Sequence, residues 1–230
     1  WRSREVYYAG GPWRALARLI PHFKAEEFAL HGAGAINPYM RTVVRQPLAV
    51  CERPIPVAVV SNTYQLVQHA AVVEKCFEGL REHGIDPGRL RCEIGLTLLG
   101  EWMNFRAYFP QEDGWSYRPV GEEKPLALRL ECFNSVDGSS RLVVLFGWYR
   151  FVCANGLVIG DTKAEVRVIH NQRLDLEMIP HIIGRGFAQV ESEIRRLKAW
   201  EDQTFTDSQL RDWVDEDLAA AWGKKAACRV

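Results

Sequence analysis

Hydrophobic positions fall into three successive patterns along the chain. After Gln68, the residues Val72, Val73, Cys76, Phe77 and Leu80 recur at helical spacing, and Gly84 supplies a C-terminal stop. From Arg91 to Val168 the period shortens to two, which predicts strands over 91–99, 102–108, 126–135, 141–152, 157–159 and 164–168. Within 126–133, Leu126, Leu128, Leu130 and Cys132 share one side, with Arg129 and Glu131 on the other. One buried and one wet face imply a sheet covered by helices on a single side. The period then lengthens again. Ile179, Ile182, Ile183, Phe187, Val190, Ile194 and Leu197 form one apolar stripe. A further helix starts near Thr206–Asp207 and carries Leu210, Trp213, Val214, Leu218 and Trp222.

These patterns predict an α+β fold: a mainly antiparallel sheet over about 91–168, helices near 69–83 and 180–199 on its apolar face, and a C-terminal helical segment. Turn chemistry separates the strands at Leu99-Gly100-Glu101, 110–114, Asp137-Gly138-Ser139 and Asn155-Gly156. Residues 1–56 lack a clear period and are expected to be irregular. Only Trp13, Leu16, Leu19 and Ile20 have helical spacing there, stopped by Pro21. The expected division is an irregular segment 1–56, an α+β core 57–200, and an acidic helix and tail 201–230.

Composition narrows the class. With 230 residues, 47% hydrophobic and 25% charged, the chain is long enough to bury a core and is neither disordered nor fibrous. It has 29 basic and 29 acidic residues, which excludes a surface that tracks nucleic acid everywhere. The charge is unevenly spread, with seven acidic residues to one basic over 201–222. The acidic run 201–217 reads as a solvated helical face, as a docking segment for another protein, or as a cover for a basic groove. No apolar run is long enough for a membrane helix, and no signal peptide is apparent. The chain starts at Trp1 and is expected to begin inside a longer gene product. Six scattered cysteines without a CxxC pair are expected to be free thiols in a reducing cytoplasm. No Cys/His spacing suits zinc, and neither metal nor cofactor is expected. The segment HGAGAINP (31–38) lacks the strand, third glycine and helix of a phosphate loop.

Two constellations carry candidate chemistry. Eleven of 25 aromatic residues lie between Trp102 and Phe151, interleaved with Arg106, Arg118, Arg129, Arg141 and Arg150. Aromatic rings stack on exposed bases while arginines hold phosphates, so a sheet presenting both suits single-stranded nucleic acid. Aromatics are also good strand formers, and core packing alone accounts for many of them. The second constellation is Cys153, Asn155 and His170, with Asp137 nearby in sequence. A nucleophile, base and orienting amide are the ingredients of thiol catalysis. Tight-turn chemistry and a buried strand end explain the same residues, and no catalytic residue is assigned.

Three ordered motifs carry a resemblance: NSVDGSS (134–140), YRFVCANGLVIG (149–160) and EVRVIH (165–170), with VVSNTYQLVQHAAV (59–72) upstream. Together they resemble a phage- and plasmid-associated family, domain of unknown function 932, also called uncharacterised protein family 0380, over about 57–200. Members read N-S-H-D-G-S-S, then R-[FV]-V-C-x-N-[GT]-L, then R-x-x-H. Here Val136 stands where the family usually has His, so any chemistry of that His is missing. The resemblance carries no established activity. It implies an accessory protein of a mobile genetic element, of a kind that acts on DNA or against host defence. The motif residues Asn134, Asp137, Ser139, Arg150, Asn155, Arg167 and His170 are expected to cluster at strand ends, with Gly138, Ser140, Cys153 and Gly156 as supporting turn and strand residues. In the nucleic-acid reading Arg150, Arg167 and Arg141 hold phosphates, with His170 beside them, and Trp148 or Tyr149 stacks on a base.

Overall fold

In the computed structural model the described residues are 5–29, 34–110, 116–118, 126–151, 158–171 and 173–223. They divide into two compact units, Trp1–Glu191 and Ser192–Val230.

The first unit contains two sheets. The larger has seven strands: β1 (Val6–Gly11), β5 (Arg91–Thr97), β6 (Trp102–Tyr108), β7 (Ser116–Tyr117), β8 (Leu126–Ser135), β9 (Leu142–Phe151) and β10 (Val158–Val168). Their order is β1-β5-β6-β8-β9-β10, with β7 beside β8, and every pairing is antiparallel. The smaller sheet is β2 (Phe23–Ala29), β3 (Ile36–Arg45) and β4 (Ile55–Ser61), in that order. The α+β expectation therefore holds.

One face of the large sheet is the main core. Leu128, Leu130 and Cys132 of β8 stand opposite Trp148, Phe146 and Val144 of β9, and all are buried. Helix α2 (His69–Glu82) packs Phe77 edge-on to Phe105 of β6, with ring centroids 5.8 Å apart. Helix α3 (Met178–Glu201) brings Phe187 to within 4.7 Å of the Phe146 ring. Both helices thus lie on the apolar side, as the alternation of β8 requires. Trp13 in the short helix α1 (Trp13–Leu16) completes the layer by meeting both Phe77 and Phe105.

The described residues among the first fifty-six are not irregular. They supply β1 to the large sheet and most of the small one. These strands escape the sequence reading because they bury little: along β2 only Phe23 is buried, so hydrophobic alternation, the signal of a half-covered strand, is absent. The strands expected at 157–159 and 164–168 are, over the described residues, one continuous β10 (Val158–Val168). A register shift between Thr162 and Ala164 absorbs the break.

The second unit holds the end of α3, then α4 (Asp207–Trp213), a π-helical turn Val214–Leu218 and α5 (Ala219–Trp222). Thr206 caps α4 with a reciprocal capping box to Gln209. Among the described residues no helix is long and apolar enough to cross a membrane.

Candidate functional site

The β8–β9 connection is built by the NSVDGSS motif itself. The Asp137 carboxylate accepts the Ser139 amide at 2.9 Å, and Gly138 takes φ +75°, a conformation natural to glycine. The Ser135 hydroxyl accepts the Ser140 amide and donates to the Ser140 carbonyl, closing the turn from both sides. Val136 points the other way, into an apolar cluster with Phe23, Val43 and Val60. Val136 is thus a core contact between the hairpin and the small sheet.

Behind the turn lies a buried polar centre. His69, the first residue of α2, donates from Nε2 to the Gly100 carbonyl at 2.8 Å. Its Nδ1 accepts from the Asn134 amide at 2.9 Å, and that amide also donates to the Val67 carbonyl at 3.0 Å. This pattern needs the neutral ring, and burial, the dominant influence, holds the His69 pKa down to about 4. Gly100, at φ +73°, makes the β5–β6 turn that presents its carbonyl. Asn134 therefore joins β8 to α2 and, through His69, to the neighbouring hairpin.

His170 follows the end of β10 and stacks on Tyr64 with ring centroids 5.2 Å apart. Its Nδ1 faces the Gln65 carbonyl at 3.3 Å while its own carbonyl accepts the Gln65 amide. Burial lowers its pKa, opposed by the Gln65 hydrogen bond and by the Asp137 charge. The Tyr64 hydroxyl donates to the Ser135 carbonyl, and burial pushes its pKa up. Asp137, Gly138 and Ser139 also wall a groove of about 840 Å³ against Glu27, Thr42 and β4.

Of the seven residues expected to cluster, five share one end of the sheet. Val168 pairs with Leu142, so the end of β10 and the start of β9 coincide. Asn134, Asp137, Ser139, Ser140, Arg141, Arg167 and His170 therefore share one end of the sheet. Arg150 does not join them. It pairs with Ile159 at the other end of β9, about 26 Å along the strand at roughly 3.3 Å per residue. Cys153, Asn155 and Gly156 lie outside the described residues. Arg167 is ion-paired with Glu165 on its own strand.

The aromatic assignments change as well. Trp148 is 4% exposed and faces the helices, so it cannot stack on a base. Tyr149 lies on the opposite face but is 3% exposed, with the Arg129 guanidinium 4.3 Å above its ring. That outer face is not simply wet. Glu131 is buried there and binds Arg106 at 2.7 Å, Arg129 at 2.7 Å and Asn104 at 3.1 Å. Around this centre stand Tyr108, donating to Glu93, and the half-buried Trp102 with Phe133 6.0 Å away.

Sequence reasoning missed His69 and Tyr64 as partners of the motif. A single His at a helix start carries no signal of its own, since its meaning comes from residues some 65 positions away. Among the described residues no group of three or more His, Cys, Asp or Glu is placed to hold a metal ion. No solved structure matches the chain. The family model for domain of unknown function 932 matches residues 56–228, taking in the hairpin motif, α2, β10 and His170, and the chain belongs to that family.

Proposed function

We propose that the chain is a non-enzymatic single-stranded nucleic-acid-binding protein, an accessory factor of a mobile genetic element, that uses the outer face of its large sheet. The observation that carries this reading is the composition of that face. Trp102, Phe133 and Tyr108 stand on adjacent central strands opposite the helices, beside Arg106, Arg129 and the exposed Arg167. Aromatic rings on the open side of a sheet are a stacking platform for splayed bases, worth about 1–3 kcal/mol per base. Glu131 fixes the planes of Arg106 and Arg129 and offsets their charge, so stacking is the larger contribution and phosphate attraction the smaller. The motif end of the sheet has a different task. Most of its polar groups form hydrogen bonds that fix the β8–β9 turn against α2 and the small sheet, while Asn134 Oδ1, Ser140 Oγ and His170 Nε2 are buried without a hydrogen-bond partner among the described residues.

The test is fluorescence anisotropy of a labelled oligothymidine with the purified chain across a salt series. Binding that weakens with salt is expected, and Trp102→Ala should lower affinity about tenfold or more. Arg167→Gln should weaken binding and flatten the logarithmic salt dependence by about 0.7.

A second reading is favoured by one observation in the second unit. Phe205, Leu210 and Trp213 are exposed within the acidic stretch 201–217, a combination suited to docking a basic protein. A chain that ignores the oligonucleotide at low salt supports this alternative.

A further inference from the structure

Strand β1 ends the large sheet, and among the described residues no strand lies on its far side. An open strand edge is a template for pairing. This edge is also apolar. Tyr7 and Tyr8 are 56% and 68% exposed, and a pocket of about 220 Å³ brings them together with Leu19, Leu48 and Leu98, all exposed. Five large apolar residues border one pocket at a strand edge, with Tyr7 and Tyr8 on opposite faces of β1, and mark an interaction surface.

The surface is close to neutral. Its lining carries one charged residue, Arg45, and that is paired with Glu52 at 3.1 Å. A neutral apolar edge has no electrostatic preference for a polyanion or a basic partner, and it meets no repulsion from a copy of itself. The strand sequence adds a steric argument. Val6-Tyr7-Tyr8 is bulky and Ala9-Gly10-Gly11 is small. An antiparallel self-pairing centred on Ala9 keeps the same face of both copies on one side and sets Tyr8 against Gly10 and Tyr7 against Gly11. Each tyrosine then lies beside a glycine, on both sides of the two-fold axis.

We propose that β1 pairs antiparallel with β1 of a second copy of this chain, joining two large sheets edge to edge. Leu19, Leu48 and Leu98 close over the joint. The contact is isologous and stops at two copies, because the same edge is used by both.

Sedimentation velocity of the full chain over a concentration series, without nucleic acid, tests this. A concentration-dependent dimer is expected. Tyr7→Asp and Leu98→Glu should each weaken it about tenfold or more, with circular dichroism and melting unchanged. Tyr8 is unsuitable for substitution, because its ring lies over Gly95 and supports the fold there. A wild-type chain that stays monomeric overturns the proposal and assigns the edge to a different partner. A dimer indifferent to both substitutions overturns it by placing the contact elsewhere.

Discussion

His69 links pH to stability. Its ring is neutral in the folded chain with a pKa near 4, against 6.5 for the free side chain. Between those values the unfolded chain binds a proton that the folded chain refuses. The stability it contributes is therefore complete above about pH 6.5 and lost as pH falls toward 4, roughly 3 kcal/mol in all. The lowered pKa of His170 acts in the same direction. Urea unfolding midpoints should drop clearly between about pH 7.5 and about pH 5, and His69→Gln should remove most of that slope. A wild-type midpoint flat across this window would contradict the assignment. Asn134→Ala strands both the His69 nitrogen and the Val67 carbonyl, and should cost about 2–4 kcal/mol in the same assay. Gly138→Val forces a β-branched residue into positive φ and should cost about 1 kcal/mol or more.

The contacts between elements depend on two glycines. A Cβ on Gly79 of α2 would lie 2.8 Å from the Pro180 Cα of α3, so the helices touch through backbone there. A Cβ on Gly186 would run into the Phe146 ring and lie 3.1 Å from the Ala164 Cβ. Gly186→Val should therefore lift α3 from β9 and β10, lowering stability by about 2 kcal/mol or more, and a thermal melt reads it directly. A melting temperature left unchanged would mean that α3 is not seated on those strands. The sequence hints at Gly186 only as a weak point in a helix, because its purpose lies in residues that β9 and β10 bring to it. The same contrast runs through the fold. β8 is legible because Leu128, Leu130 and Cys132 are all buried on one side. β2 is illegible because its strand character comes from pairing with β3, not from burial.

At the scale of the molecule, the two ends of the large sheet are separated in a way that no local pattern announces. The motifs NSVDGSS and EVRVIH meet because antiparallel pairing brings Val168 to Leu142, while Arg150 is carried to the other end of β9. Parity decides the aromatics. Trp148 and Tyr149 must face opposite sides, but only the position of α3 settles which one is buried under a helix. Trp102 and Phe133 are visible as members of the aromatic run, and their diagonal contact across β6 and β8 forms the aromatic patch of the outer face on which the proposed binding rests. Anisotropy of a labelled oligothymidine against wild-type chain, Trp102→Ala and Gly186→Val, each verified as folded, is the most direct measurement of this account. Salt-sensitive binding by the wild type and by Gly186→Val, with loss in Trp102→Ala, is the expected result. Equal binding by all three, or none by a folded wild-type chain at low salt, would contradict it.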